Sequence, residues 1–109
     1  MKTYLKDDTV SIKELSPEMF FASMTIRDAL SFFDVEFVIT SGSEKETIHK
    51  GNSKHYAGDA IDFRSRDFET TSDKQMFMSM VKHRLGRDYD LILESDHFHC
   101  EWDAKEDRL

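Results

Sequence analysis

The stretch that decides how this chain folds is Ser53-Lys54-His55-Tyr56-Ala57-Gly58-Asp59-Ala60-Ile61-Asp62, and its counterpart further along is Asp96-His97-Phe98-His99. Along a β-strand, side chains two residues apart lie on the same face of the sheet. In these two stretches and the residue that follows each, polar side chains alternate with apolar ones: Asp62, His97 and His99 against Ile61, Phe63, Phe98 and Cys100. The alternation predicts two strands that bury apolar side chains on one face and gather polar side chains on the other.

Two helices are predicted on either side of the first stretch. Ser16 is a suitable N-cap, a proline follows it at the first helical position, and an apolar stripe then runs to about Asp34. A second amphipathic helix is predicted from a cap at Thr71 or Ser72 to a stop at Gly86.

Four strands complete the prediction. They cover residues 35–41, 60–65, 89–94 and 97–102, while residues 1–15 predict an irregular or weakly extended lead-in. We therefore expect an α+β fold, with two helices packed on a small, mostly antiparallel sheet. With 109 residues, a single domain spanning residues 1–109 is expected, with its core at about 16–103 and charged tails.

The composition narrows the function classes. A formal net charge of −7 disfavours a nucleic-acid binder, which needs a basic face, and disfavours adhesion to anionic membranes. No apolar run approaches the ~20 residues that span a bilayer. The N-terminus lacks the apolar core of a secretory signal, and one cysteine excludes an internal disulfide. We expect a monomer made in the cytoplasm.

Three side chains on the predicted polar surface suit one metal ion. His55, Asp62 and His99 supply two imidazoles and a carboxylate, which are ligands that Zn²⁺ accepts. Three protein ligands with an open fourth position are typical of catalytic zinc sites, where the metal lowers the pKa of bound water to about 7. The ligand types also fit a two-histidine, one-carboxylate iron site, but the additional Asp96 favours hydrolysis.

Two neighbouring residues are candidates for proton transfer. Asp96 lies in the predicted turn before the last strand, where it can act as general base. His97 is expected close enough to stabilise a developing oxyanion or to protonate a leaving amine. Gly58 is expected to allow a tight approach between the His55 loop and the Asp62 strand.

At these residues the chain resembles the M15 family of zinc peptidases, which includes D-Ala-D-Ala carboxypeptidases, the dipeptidases of vancomycin resistance and phage L-alanyl-D-glutamate endolysins. The family pattern Ser-x-His-x-x-Gly-x-Ala-x-Asp is met by residues 53–62, and its later Asp-His-x-His by residues 96–99. Val38-Ile39-Thr40-Ser41-Gly42 is similar to the strand and turn that lead into the family's active-site loop. The similarity covers about residues 16–103.

The resemblance implies a hedgehog-like fold in which His55, Asp62 and His99 hold one zinc ion and Asp96 is the general base. His97 would assist the tetrahedral intermediate, and Ser53 would help to bind the substrate's carboxylate. It further implies hydrolysis of a short D,D or L,D peptide bond in peptidoglycan stem peptides. The chain looks most like a phage-encoded member, present in the host cytoplasm or the virion and acting on the cell wall after release.

The sequence departs from the family at one position. Many members continue Ser-Gly with Tyr-Arg-Ser, and that arginine polarises the substrate, whereas here Glu44 stands in its place. Lys45, Lys54 and Arg64 are the cations available as replacements, and the sequence does not choose among them. Loss of such an oxyanion partner costs on the order of 10²–10³ in rate. A second hypothesis is therefore a non-catalytic, zinc-stabilised virion or cell-wall-binding protein.

Overall fold

The computed structural model describes residues 2–43 and 54–105. Within them lie two α-helices and five β-strands, in the order β1 (Thr3–Leu5), α1 (Pro17–Phe32), β2 (Phe37–Ser41), β3 (Ala60–Arg64), α2 (Thr71–Leu85), β4 (Tyr89–Leu93) and β5 (His97–Trp102). A short 3₁₀ turn, Lys54–Ala57, leads into β3. The α+β fold predicted from the sequence is confirmed.

The strands form one mostly antiparallel sheet with the order β1-β2-β3-β5-β4. Only the β1–β2 pair among these neighbours is parallel, while β2–β3, β3–β5 and β4–β5 are antiparallel. The two strands from the opening stretches, β3 and β5, are neighbours in the middle of the sheet. Their register pairs Asp62 with His99 and Arg64 with His97.

Helix α1 begins where the sequence indicated. The Ser16 hydroxyl accepts a hydrogen bond from the Met19 N–H at 3.2 Å, and a proline occupies the first turn. The helix buries the predicted apolar face, which consists of Met19, Ala22, Ile26, Ala29 and Leu30. Among the described helices, none combines the length and the apolar character that a bilayer crossing requires.

The predicted cap of the second helix is wrong by one or two residues. The N-cap is Thr70, whose hydroxyl accepts from the Asp73 N–H at 3.0 Å. Thr70 has the extended backbone that an N-cap needs, whereas Thr71 and Ser72 already belong to the helix. Three consecutive hydroxyl residues compete for the same role, and the sequence pattern does not separate them.

The hydrophobic core lies on one face of the sheet, between the sheet and the two helices. Phe63 of β3 and Phe98 of β5 stack with their ring centroids 5.0 Å apart, and Phe77 of α2 packs against both. All three rings are fully buried. Because strand side chains alternate, Asp62, His97 and His99 lie on the opposite face, away from the helices.

The N-terminal segment contributes more than the predicted irregular lead-in. Thr3–Leu5 pairs in parallel with β2, and Val10 and Leu15 are buried in the core. The packed part of the chain therefore begins before the first helix.

Gly58 joins the turn that carries His55 to the start of α1. Its φ is +75°, and its carbonyl accepts a hydrogen bond from the Ser16 N–H at 2.9 Å. A Cβ atom here would lie 2.0 Å from the Glu14 carbonyl oxygen. The close approach that glycine allows is thus to the segment before α1, and not, as predicted, to the Asp62 strand.

We expect Gly58→Ala to lower the free energy of unfolding by about 3 kcal/mol or more, because it combines positive-φ strain with a backbone clash. Urea unfolding followed by circular dichroism measures this loss. Gly86→Ala is the matched control: Gly86 also has a positive φ, +82°, but no atom lies within 4 Å of the Cβ position. Only the strain of about 1–2 kcal/mol is expected there. Equal losses in the two variants would contradict this account of Gly58.

Candidate metal centre

Three donor side chains converge on the exposed face of the sheet. Asp62 and His99 are register partners on β3 and β5, and His55 comes from the 3₁₀ turn before β3. One ligand atom from each residue lies within 4.8 Å of the others. The Asp62 carboxylate lies between the rings, with Oδ1 2.7 Å from His99 Nδ1 and Oδ2 3.5 Å from His55 Nε2. The structure therefore brings together the three residues predicted as ligands.

The orientation of His55 is set by a backbone carbonyl. Its Nδ1 lies 2.8 Å from the Gly42 carbonyl oxygen, which can only accept, so this nitrogen carries the proton and donates it. The ring is buried, and Nε2 is the nitrogen on the side of Asp62, 3.5 Å from its Oδ2. A histidine that ligates a metal usually donates its second N–H in this way.

Gly42 is itself held in position by the segment that precedes α1. A Cβ atom on Gly42 would lie 2.1 Å from the Ser11 carbonyl oxygen. That same oxygen accepts the Ser43 N–H at 2.6 Å. The carbonyl that orients His55 is therefore fixed by backbone packing and not by a mobile side chain.

His99 is oriented by Glu101, a residue that the sequence analysis did not include. His99 Nε2 lies 2.9 Å from Glu101 Oε1 and Nδ1 lies 2.7 Å from Asp62 Oδ1, so the protonated ring donates one hydrogen bond to each carboxylate. Glu101 follows His99 by two residues on β5 and shares its face. Continuing the alternation His97, His99 by one more step would have found it.

The charges of this cluster stabilise one another. The hydrogen bond from His99 to Asp62 raises the pKa of His99 to about 9; the contact with Glu101 adds to this effect and burial opposes it. Burial alone would raise the pKa of Asp62, but the neighbouring His55 and His99 rings outweigh it and bring that pKa well below its usual range. Without a metal, the His99–Asp62 pair is therefore an ion pair at neutral pH.

His97 and Asp96 form a second pair at the edge of the same cluster. His97 Nδ1 donates to Asp96 Oδ1 at 2.6 Å, and its Nε2 lies 3.8 Å from Asp62 Oδ2. The Asp96 side chain is 84% exposed and contacts the cluster through His97. This hydrogen bond lowers the pKa of Asp96. Partial burial opposes the charge of His97, but Asp96, Asp62 and Glu94 together raise its pKa.

Of the remaining residues named in the sequence analysis, the structure describes Lys54 and Arg64. Ser53, together with Glu44 and Lys45, lies outside the described residues. The two described cations that could replace the missing arginine are each in an ion pair. Lys54 Nζ lies 3.5 Å from Asp103, and Arg64 Nη1 lies 3.2 Å from Asp67.

A second group of carboxylates, Asp90, Glu101 and Asp103, also converges on this side of the protein. Lys105 Nζ lies 3.4 Å from Asp90 and 3.5 Å from Asp103, and Glu101 accepts from His99. These contacts account for the group without an ion.

The donor set of the first cluster fits zinc. Two imidazole nitrogens and one carboxylate oxygen are accepted zinc ligands, and each ring's second N–H has a fixed acceptor. No protein-family model matches the chain, and no curated protein is significantly similar to it. The argument for a metal centre therefore depends on this geometry and on the residue pattern.

We expect the protein to bind one zinc ion, and His99→Ala to abolish this binding. Glu101→Gln is expected to weaken the affinity by about 10–100-fold, because the ligand ring loses its charged acceptor. Isothermal titration calorimetry with a competing chelator measures both effects. His83→Ala, which removes an exposed histidine of α2, should bind zinc as the wild type does. If His99→Ala retained the wild-type affinity, this set of ligands would be wrong.

The metal-free protein is expected to lose stability as the pH rises from about 6.5 through about 9. The pKa of His99 is raised in the folded state, so its contribution is complete below the unfolded pKa and disappears once the folded group deprotonates. Because His99 is partly solvated, the shift is discounted for solvent screening and corresponds to on the order of 1–2 kcal/mol. Urea unfolding in chelator across this range measures it, and His99→Gln should flatten the profile. An unchanged profile in that variant would assign the effect to other groups.

Proposed function

We propose that this chain is a zinc-dependent peptidase of the M15 type, with its hedgehog-like fold, that hydrolyses a D,D or L,D bond in peptidoglycan stem peptides. The observation that carries the proposal is the convergence of His55 Nε2, Asp62 and His99 Nδ1. The residue patterns around residues 53–62 and 96–99, which resemble those of that family, support it.

His55, Asp62 and His99 would hold the ion. Bound there, zinc would polarise the scissile carbonyl and acidify an attacking water. The proton transfers would be carried out by the chain's own side chains, whose protonation states at neutral pH are suitable for this role. Asp96 has a lowered pKa and remains a carboxylate that can accept the proton of the water.

His97 is suited to the complementary task. Its raised pKa favours the protonated ring, and its Nε2 faces the cluster. A protonated imidazole can stabilise negative charge on the carbonyl oxygen and deliver a proton to the departing amine. The Asp96–His97 hydrogen bond couples the proton acceptor to the proton donor.

Two observations favour a second candidate, a non-catalytic zinc-stabilised protein that binds the cell wall. Asp96 is largely exposed and hydrogen-bonded to His97. Both described cations that could act in place of the family's arginine, Lys54 and Arg64, are paired with aspartates. A wall-binding role would require the metal only for folding.

Mass spectrometry of purified muropeptides incubated with the zinc-loaded protein tests catalysis. We expect the loss of one D-alanine, or cleavage between L-alanine and D-glutamate, and the masses identify the bond. Asp96→Asn should reduce the rate by about 10²–10⁴-fold while zinc binding is retained. Asp28→Asn, the same change at an exposed site on α1, is the control and should keep the wild-type rate.

The outcome that would overturn the peptidase is a fully zinc-loaded protein that leaves every stem peptide intact. Sedimentation with intact sacculi would then distinguish the second candidate. Co-sedimentation without cleavage would support the wall-binding protein, and its absence would reject both.

A further inference from the structure

A basic cleft lies next to the metal centre in a protein whose overall charge is −7. It has a volume of about 500 Å³ and is bordered on one side by His97 and Asp96. Four cationic side chains line it: Lys6, Arg64, Arg66 and Lys74. We refer to these four residues as the basic cleft.

The sheet register connects this cleft to the metal centre. Arg64 and His97 are register partners on β3 and β5, two residues along from the partners Asp62 and His99. Both pairs lie on the same face because side chains alternate along each strand. Two residues of strand correspond to about 7 Å. A substrate group in the cleft would therefore lie about two residues of extended peptide from a bond held at the metal centre.

The charges in the cleft are only partly neutralised by its own neighbours. The Asp67 carboxylate forms ion pairs with both arginines, 3.2 Å from Arg64 and 3.9 Å from Arg66. Lys6 lies 3.7 Å from Asp7. Lys74, half-buried on the first turns of α2, makes no ion pair within residues 2–43 and 54–105.

The lining also offers neutral hydrogen-bond donors. Thr40, Ser65 and Ser95 border the cleft with their hydroxyl groups. Guanidinium and ammonium groups together with hydroxyls are the groups that bind carboxylates, and arginine can do so through two parallel hydrogen bonds.

We propose that the basic cleft binds a free carboxylate of the substrate peptide on the His97 side of the scissile bond, so that the enzyme prefers acidic stem peptides. This inference rests on the proposed peptidase function and specifies the substrate class of that site. It assigns substrate binding to Lys74 and Arg66, whose ion-pair contact with Asp67 is the longer of the two arginine contacts at 3.9 Å.

Two synthetic stem peptides test the proposal, one with the free α-carboxylate of its isoglutamyl residue and one with that group amidated. Calorimetric titration of the zinc-loaded protein should show roughly 5–10-fold tighter binding of the free acid at low salt. Lys74→Gln combined with Arg66→Gln should remove this preference. Lys82→Gln, the same charge change on the same helix but outside the cleft, should retain it.

Kinetics separate the failure of this inference from failure of the proposed function. With turnover, the double variant should raise KM for the free acid by about 3–10-fold and leave kcat unchanged. Cleavage of both peptides with equal binding would overturn the proposal that the cleft binds a carboxylate and leave the peptidase proposal standing. Preferential binding that disappears in the double variant, without cleavage, would keep the cleft and overturn the peptidase.

Inorganic phosphate at matched ionic strength is the last comparison. If it binds as tightly as the free-acid peptide, the cleft is a general anion site and the peptide assignment is overturned. Weak phosphate binding beside tight peptide binding supports a site shaped for a peptide carboxylate.

Discussion

The carboxylate of Asp62, held between the rings of His55 and His99, is the contact on which the rest of the site depends. It connects a turn, a central strand and the neighbouring strand at one point. A carboxylate with only small exposure is costly unless opposite charge or hydrogen bonds compensate for it. In the metal-free protein, the His99 imidazolium supplies that compensation. A cation bound by the same residues would take the place of that proton.

The sheet separates stability from chemistry by its two faces. Ile61, Phe63, Phe98 and Cys100 form the part of β3 and β5 that faces the helices, and all four are fully buried. The polar partners on the other face contribute little to that core. Substitutions among them can therefore change metal or substrate binding while the aromatic packing stays intact.

Local patterns were sufficient to predict much of the fold and the set of three donors. Ser16 and the following proline predicted the start of α1, and the period-two alternation placed Asp62, His97 and His99 on one face. Both signals are local because capping and strand alternation involve residues only a few positions apart. Features that depend on contacts between residues distant in sequence were harder to predict. Strand β1 is formed by its parallel pairing with β2, which is distant in sequence. The N-cap of α2 is Thr70, the first of three adjacent hydroxyl residues that local sequence does not distinguish.

The pairing of side chains was the least accessible from sequence. Glu101, two residues after His99 on the same strand, orients the His99 ring. Lys54 is paired with Asp103, and Arg64 with Asp67. Which acid meets which base depends on strand register and on rotamers, and neither is encoded by residue spacing alone.

The position of Cys100 limits the kinds of ligand atom that the candidate metal centre offers. This is the chain's one cysteine, and it follows His99 but lies on the opposite, buried face, where burial raises the pKa of its thiol to about 12. The described ligand atoms facing an incoming ion are thus nitrogen and oxygen only. Thiophilic ions such as copper(I) gain no sulfur ligand from this residue, so it gives them no advantage over zinc at the centre.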